Sequence, residues 1–174
     1  EAKKYRNFDK ARHTNWMLND NGSIALGVPA SSRGAAEAGY RTFNIYEGQA
    51  TAGRINASSN VFKAVQVVRN EANALVDQLT ESTYNAQGSV LQVKDPIGRI
   101  TKYEYATNGI DLRFIKQQEA GGVWKTLAEQ IYGGTGSAPH KPTTIKNASG
   151  DGTTYEYNSY GQLKLEINAK SEKI

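Results

Sequence analysis

Cysteine is absent from the 174 residues. That excludes disulfide staples, cysteine-ligated zinc and a thiol nucleophile, and it leaves the redox compartment open. Histidine is nearly absent, with only His13 and His140. Neither has a partner at ligand spacing, so a zinc centre and a serine–histidine triad are both poorly supported. No apolar run reaches the roughly 18 residues of a membrane span, and no signal peptide precedes Glu1. The chain opens on Glu1 rather than Met, as a mature product or a piece of something longer does. Charge of one sign is scarce too, with a formal net of +4. The basic residues Lys3, Lys4, Arg6, Lys10 and Arg12 are diluted by Glu1 and Asp9, so they read as a solvated end. No nucleic-acid partner is expected.

What is plentiful is tyrosine, at 10 residues, and glycine, at 17. With hydrophobic residues at 38%, aromatic rings take the place of a leucine-rich core, which suits turn-rich β-structure. The tyrosines recur in order. "DPIGRITKYEY" at 95–105 returns as "NASGDGTTYEY" at 147–157, and Asn147, Gly150 and Tyr155 stand 52 residues after Asp95, Gly98 and Tyr103. Tyr-x-x-x-Gly appears at Tyr84–Gly88, Tyr105–Gly109 and Tyr157–Gly161. The units Gly88–Gly109 and His140–Gly161 both span 21 residues, with Gly98 and Gly150 near their midpoints. Another unit opens at Gly161, places Asn168 seven residues on, and stops at Ile174 before its Tyr-x-Tyr. A chain ending inside a repeat is expected to leave a sheet edge that associates. A fainter copy lies at His13–Gly22, where Thr14 and Trp16 stand for Thr101 and Tyr103.

One unit has a readable physics. Asp95-Pro96-Ile97-Gly98 fits a type I turn, with Asp first, Pro presetting φ, and Gly fourth. In the strand that follows, Tyr103 and Tyr105 share a face because strand side chains alternate. Asn108-Gly109 then turns the chain back. Each unit is strand, turn, strand, turn. A single hairpin is marginal, whereas stacked copies bury their rings against one another in a spiral sheet.

Four stretches depart from this pattern. Gly109 to His140 spans 31 residues and reads as a longer hairpin around Gly121-Gly122. Gly133–Pro142 reads as a loop, and 27–39 as a mobile loop. Val61, Val65, Val68, Ala72, Leu75 and Leu79 follow helical spacing, which makes a helix near 61–80 possible. Repeat context and β-branched content favour a hairpin there instead.

The stretches "GSVLQVKDPIGRITKYEYATNGIDL" and "KPTTIKNASGDGTTYEYNSYGQLKLEINAKSEKI" resemble the Rhs/YD-repeat family, named for a recurring Tyr-Asp dipeptide. The first carries the order G-x-V…D-P-x-G-R-x-T-x-Y-x-Y-x-x-x-G. The clear resemblance covers 84–112 and 140–174, with a weaker one over about 10–30. The family's Asp after Tyr is replaced by Ala106 and Asn158, which weakens the turn chemistry. The resemblance implies an all-β fold, an open segment of a hollow β-shell. It also implies a large exported or surface-displayed bacterial toxin whose shell surrounds a C-terminal toxic segment; related eukaryotic proteins use the shell in adhesion. Some members carry an aspartyl self-cleavage site in a later core, and no matching motif stands here.

A converging catalytic site is not evident. Ser31 and Ser32 before Gly34 lack the strand-to-helix context of a nucleophile elbow. Gly133-Gly134-Thr135-Gly136-Ser137 lacks the Lys-Ser/Thr terminus of a phosphate loop. Glu104 and Glu156 recur between paired tyrosines, on the opposite strand face, and read as solvated positions rather than a glycosidase pair. The aromatics read first as structural stacking. Tyr103, Tyr155 and Trp124 are the candidates for stacking on a ligand, with a glycan as the possible partner.

The sequence therefore predicts divergent repeats over 1–83 and YD repeats over 84–174, in units near 88–109, 109–140, 140–161 and 161–174. The residues expected to hold the repeat are Gly88, Asp95, Pro96, Gly98, Thr101, Tyr103, Tyr105, Gly109, Asn147, Gly150, Tyr155, Tyr157 and Gly161. The expected role is a non-catalytic shell segment needing no cofactor or metal. Its expected partners are neighbouring repeats and an enclosed toxin or effector. The alternative is a carbohydrate-binding or adhesion module.

Overall fold

Asparagine and glycine decide where each strand ends. A computed structural model describes residues 11–23, 25–35, 39–49, 51, 53–55, 58–133 and 139–174. Twelve strands follow one another: β1 (His13–Leu18), β2 (Ala25–Arg33), β3 (Thr42–Tyr46), β4 (Val61–Arg69), β5 (Leu75–Tyr84), β6 (Val90–Lys94), β7 (Ile100–Tyr105), β8 (Leu112–Gln118), β9 (Trp124–Ile131), β10 (Thr144–Asn147), β11 (Gly152–Tyr157) and β12 (Leu163–Ile167). They form one open sheet in sequence order, each strand bonded to the next. The fold is all-β. Among the described residues the one helical piece is a 3-10 turn at Ala120–Gly122, inside the long β8–β9 hairpin.

The same turn is built repeatedly. At Asn85, Asn147, Asn158 and Asn168 the amide three residues on donates to the asparagine carbonyl at 2.9–3.0 Å, and the asparagine amide donates to the carbonyl four residues on. The side-chain oxygen accepts two further amides, two and four residues on, at 2.9–3.0 Å. This is a type I turn closed by a left-handed residue, the common three-residue hairpin loop. Gly88, Gly150 and Gly161 supply that residue with φ of 82°, 88° and 75°, and Ser171 does so at 65°. Asn158 thus forms a complete turn in place of the family's Asp. Ala106 has no acceptor, and there the loop lengthens by one residue: the Ala106 amide donates to Asp111. Asn108 takes over, accepting the amides of Ile110 and Asp111, each at 3.1 Å.

One sequence expectation is met and one needs correction. Residues 61–80 form the hairpin that repeat context favours and not the helix that their spacing allowed. Asn70 makes the same turn, with Asn73 at φ 60°, and the β-branched runs on either side pair as β4 and β5. The helical spacing of valines was a coincidence of two half-buried strands. Most of the loop expected over 27–39 is strand as well, since β2 runs through to Arg33. Its small residues pair with β1 and β3.

The chain divides into two compact units, residues 1–82 with 95–97, and 83–94 with 98–174. In the first, Met17, Tyr46 and Ile55 are buried together, with Val28, Ala30 and Val61 packed on them. Ile55 gets there because residues 53–55 return to β1: Leu18 donates to Gly53 at 2.8 Å, and Ile55 to Leu18 at 2.9 Å. In the second unit no described apolar side chain is fully buried.

Register explains this, because directly opposed residues share a face. In the second unit Tyr103 opposes Ile115, Ile115 opposes Ala128, and Ile145 opposes Thr153, one step from Tyr155 on the same side. On the reverse side Lys102 opposes Lys116, Glu104 opposes Phe114, and Lys146 opposes Glu129. Tyrosine, isoleucine and threonine prevail on one face, which also carries Glu166 and Lys125, and lysine–glutamate pairs prevail on the other, which also carries Phe114, Trp124 and Leu165.

Candidate functional site

The sequence gives tyrosine at every second position before a turn, and the structure shows what the last of each pair does. The Tyr105 hydroxyl donates to the Val90 carbonyl at 2.9 Å, and Tyr157 donates to Pro142 at 2.8 Å. Both donors sit where the strand pairing slips by one residue, opposite Leu112 and Leu163. Tyr46 repeats the arrangement in the first unit. Its hydroxyl donates to Pro29 at 2.8 Å, and it sits at a register slip opposite Val61. Burial pushes all three phenols above their ordinary value; Tyr103 and Tyr155 add to this at Tyr105 and Tyr157, and a hydrogen bond with Asn44 opposes it at Tyr46.

Tyr46 was not singled out by the sequence reading. Its neighbour two residues back is Asn44 rather than tyrosine, and Tyr46-Glu47-Gly48 is shorter than Tyr-x-x-x-Gly. The usable signal was a tyrosine closing an alternating strand before a glycine.

Tyr103 and Tyr155 lie half-buried on the tyrosine face. Tyr155 joins Ala128, Ile145 and Thr153 in a groove of about 560 Å³, rimmed by Asn147, Asp151, Asn168 and Glu172. Trp124 is on the other face: it opposes Gln118, and the Lys102 ammonium lies 5.8 Å from its ring centroid. The three stacking candidates are therefore not brought together.

On the charged face Glu104 receives Lys116 at 2.7 Å and Lys102 at 3.1 Å. These bonds, the one from Lys116 first, hold its carboxyl below the usual range. The neighbouring charges are matched likewise, Lys146 with Glu129 at 3.0 Å and Lys164 with Glu156 at 3.7 Å. Glu104 pairs with two lysines, an arrangement that keeps its carboxylate ionised and unsuited to proton donation.

The turns at one end of the second unit are tied side to side. The Asn85 amide group donates to the Gly109 carbonyl at 2.7 Å. His140 Nδ1 lies 3.0 Å from the carboxylate of buried Asp111, which also accepts Asn108 at 2.6 Å. Lys141 donates to the Gly161 carbonyl. The histidine lies 29 residues from its aspartate, so no local motif could announce the pair. His13 opens β1 opposite Arg33. Ser31 is buried in β2 and accepts Asn15 at 2.9 Å; Ser32 follows in the same strand. Thr135, Gly136 and Ser137 lie outside the described residues. Among the described residues no three His, Asp or Glu converge as metal ligands, and no helix is long and apolar enough to cross a membrane.

No protein-family model matches the chain, and no curated protein matches it. Solved structures do. The crystal structure of TcdB2-TccC3-Cdc42 is similar over 94% of this chain and 8% of that one, at 14% identity and a TM-score of 0.60. That of TcdB2-TccC3 without the hypervariable C-terminal region is similar over 90% of this chain and 8% of that one, at 16% identity and a TM-score of 0.58. This chain thus spans a small part of the length of the structures it matches. In fold, the chain is similar to a short stretch of these structures, an all-β sheet of antiparallel strands paired in sequence order.

Proposed function

We propose that the chain is a non-catalytic structural segment of an Rhs/YD-repeat shell that encapsulates or presents a C-terminal toxin or effector. The observation that carries this reading is the two-sidedness of the second unit. A single sheet layer presents Tyr103, Ile115, Ile145 and Tyr155 on one face, where no described residue reaches full burial. The opposite face neutralises its own charges. Such a wall offers a cargo a surface of rings and aliphatic side chains with few charges, Glu166 and Lys125 among them, and a hydrated one to the outside. The toxin-complex structures of like fold agree with this role. The native protein would be secreted or displayed at a bacterial surface, with neighbouring repeats and the cargo as its partners.

The test is the mass of the native product in its source, followed by limited proteolysis. A product far above 19.0 kDa whose C-terminal part resists protease supports the shell. A native product of about 19.0 kDa removes it.

A second reading, glycan binding, draws on the exposure of Trp124 beside Lys102. Acrylamide quenching of tryptophan fluorescence, relieved by a glycan, supports that module; quenching indifferent to a broad glycan panel dismisses it.

A further inference from the structure

Asn147 and Asn168 stand one 21-residue unit apart and open turns at the same end of the sheet, after β10 and after β12. In each turn the asparagine amide group also donates to the carboxylate four residues on, Asp151 at 3.3 Å and Glu172 at 2.6 Å. The Asn85 and Asn158 turns carry Ser89 and Gln162 at that position. Before Tyr103 the matching residues are Asp95 and Arg99, so the amide–carboxylate pair is absent there. Both pairs rim the groove of about 560 Å³ to which Tyr155 belongs. Ala128, Ile145 and the half-buried Tyr155 give that groove an apolar lining. Among the described residues, neutral amides rather than cations bond the two carboxylates, and Lys146 on the lining is matched by Glu129 at 3.0 Å.

We propose that this groove binds a neutral pyranose sugar, with Tyr155 as its platform and the two amide–carboxylate pairs as its hydroxyl readers. The volume lies within the range of about 300–1,000 Å³ usual for small-molecule sites. A carboxylate accepts up to about four hydrogen bonds, so Asp151 and Glu172 can each take sugar hydroxyls beside the amide they already hold. The second N–H of each asparagine amide is a donor at the same spot. Neighbouring hydroxyls of a pyranose give and take hydrogen bonds in this alternation, and its C–H face packs on an aromatic ring. Two carboxylates on the rim disfavour an anionic ligand. This site rests on the glycan-binding reading, not on the shell, and it lies on the face opposite Trp124, so each can fail alone.

The probes are the methyl pyranosides of glucose, galactose, mannose and N-acetylglucosamine, followed by saturation-transfer NMR with the whole chain. The expected result is saturable transfer to at least one of them. Its affinity should fall at least about tenfold in Asp151→Ala and in Glu172→Ala, the loss of a charge-assisted hydrogen bond. Both side chains are exposed, so these variants keep the fold even where Tyr155→Leu, expected to weaken binding alike, loses it. Tyr103→Leu and Trp124→Phe should leave the affinity unchanged. No transfer to any of the four sugars overturns the site, as does transfer that survives in both alanine variants. Transfer lost only in Trp124→Phe overturns it too, because the sugar then lies on the other face. Methyl glucuronide binding more tightly than methyl glucoside would contradict the neutral ligand.

Discussion

Tyr157 reaches back to the carbonyl of Pro142, and Tyr105 reaches back to that of Val90; in each case donor and acceptor are 15 residues apart. Tyr46 spans 17 residues to Pro29, whereas in these two repeats the ring spans the same length of chain. It closes on the start of the preceding strand and sits where the pairing slips, so one side chain ties the hairpin's entry to its exit.

Removing a single hydroxyl tests that closure. Tyr105→Phe keeps the ring and leaves the Val90 carbonyl without this donor, which is expected to cost about 1 kcal/mol of unfolding free energy. Urea denaturation measures it. Tyr160→Phe, at an 84% exposed turn position, is the control and should change nothing measurable.

Alkali should act on the same bonds. The folded phenols of Tyr46, Tyr105 and Tyr157 are raised above the ordinary value of 10.0. The folded state thus holds its protons more tightly than the unfolded chain. The stability this contributes is whole below about pH 10 and drains away as pH climbs through the raised values. Melting temperatures followed from pH 9 upward should fall, and triple replacement by phenylalanine should flatten that dependence.

Acid acts through Glu104. Its carboxyl is held below the value of 4.5 by Lys116 and Lys102. Its stabilisation is present above that value and is lost as pH falls through the lower folded one. Glu104→Gln leaves Lys102 and Lys116 facing each other and is expected to lower stability by less than about 1 kcal/mol, an effect shrinking with added salt. A loss that ignores salt would contradict the ion-pair account.

Ser171 holds φ at 65°, where its counterparts in the Asn85, Asn147 and Asn158 turns are glycine. Ser171→Gly should therefore stabilise the Asn168 turn by about 0.5–1 kcal/mol, read as slower exchange of the Glu172 amide. Asn73→Gly, at φ 60°, should gain less, because asparagine tolerates the left-handed region.

What the sequence made legible was whatever local chemistry determines. Asn85, Asn147 and Asn158 with their glycines announce turns through side chains that bond their own backbone, and Tyr-x-Tyr announces an alternating strand between them. The spacing from Val61 to Leu79 also matched a helix, because half-buried strands can do so by accident, yet the β-branched content and repeat context favoured the hairpin that the Asn70 turn closes. The opposite placement of Trp124 and Tyr103 depends on a register slip between Ile115 and Lys116, which no local pattern encodes. The Asp111–His140 pair depends on which hairpin ends are neighbours. Such facts belong to the assembled sheet.

The row of tied turns has one more implication. Between Gly109 and His140 the chain spends ten residues more than the 21-residue unit, yet β10 still pairs with β9 in unbroken register from Thr144 to Asn147. Asp111 and Gly161 anchor His140 and Lys141 on either side of that detour. Loop length is thereby uncoupled from strand alignment. The end of the sheet behaves as a splice point, where new sequence can be admitted, lengthened or exchanged while the wall behind it keeps its pattern.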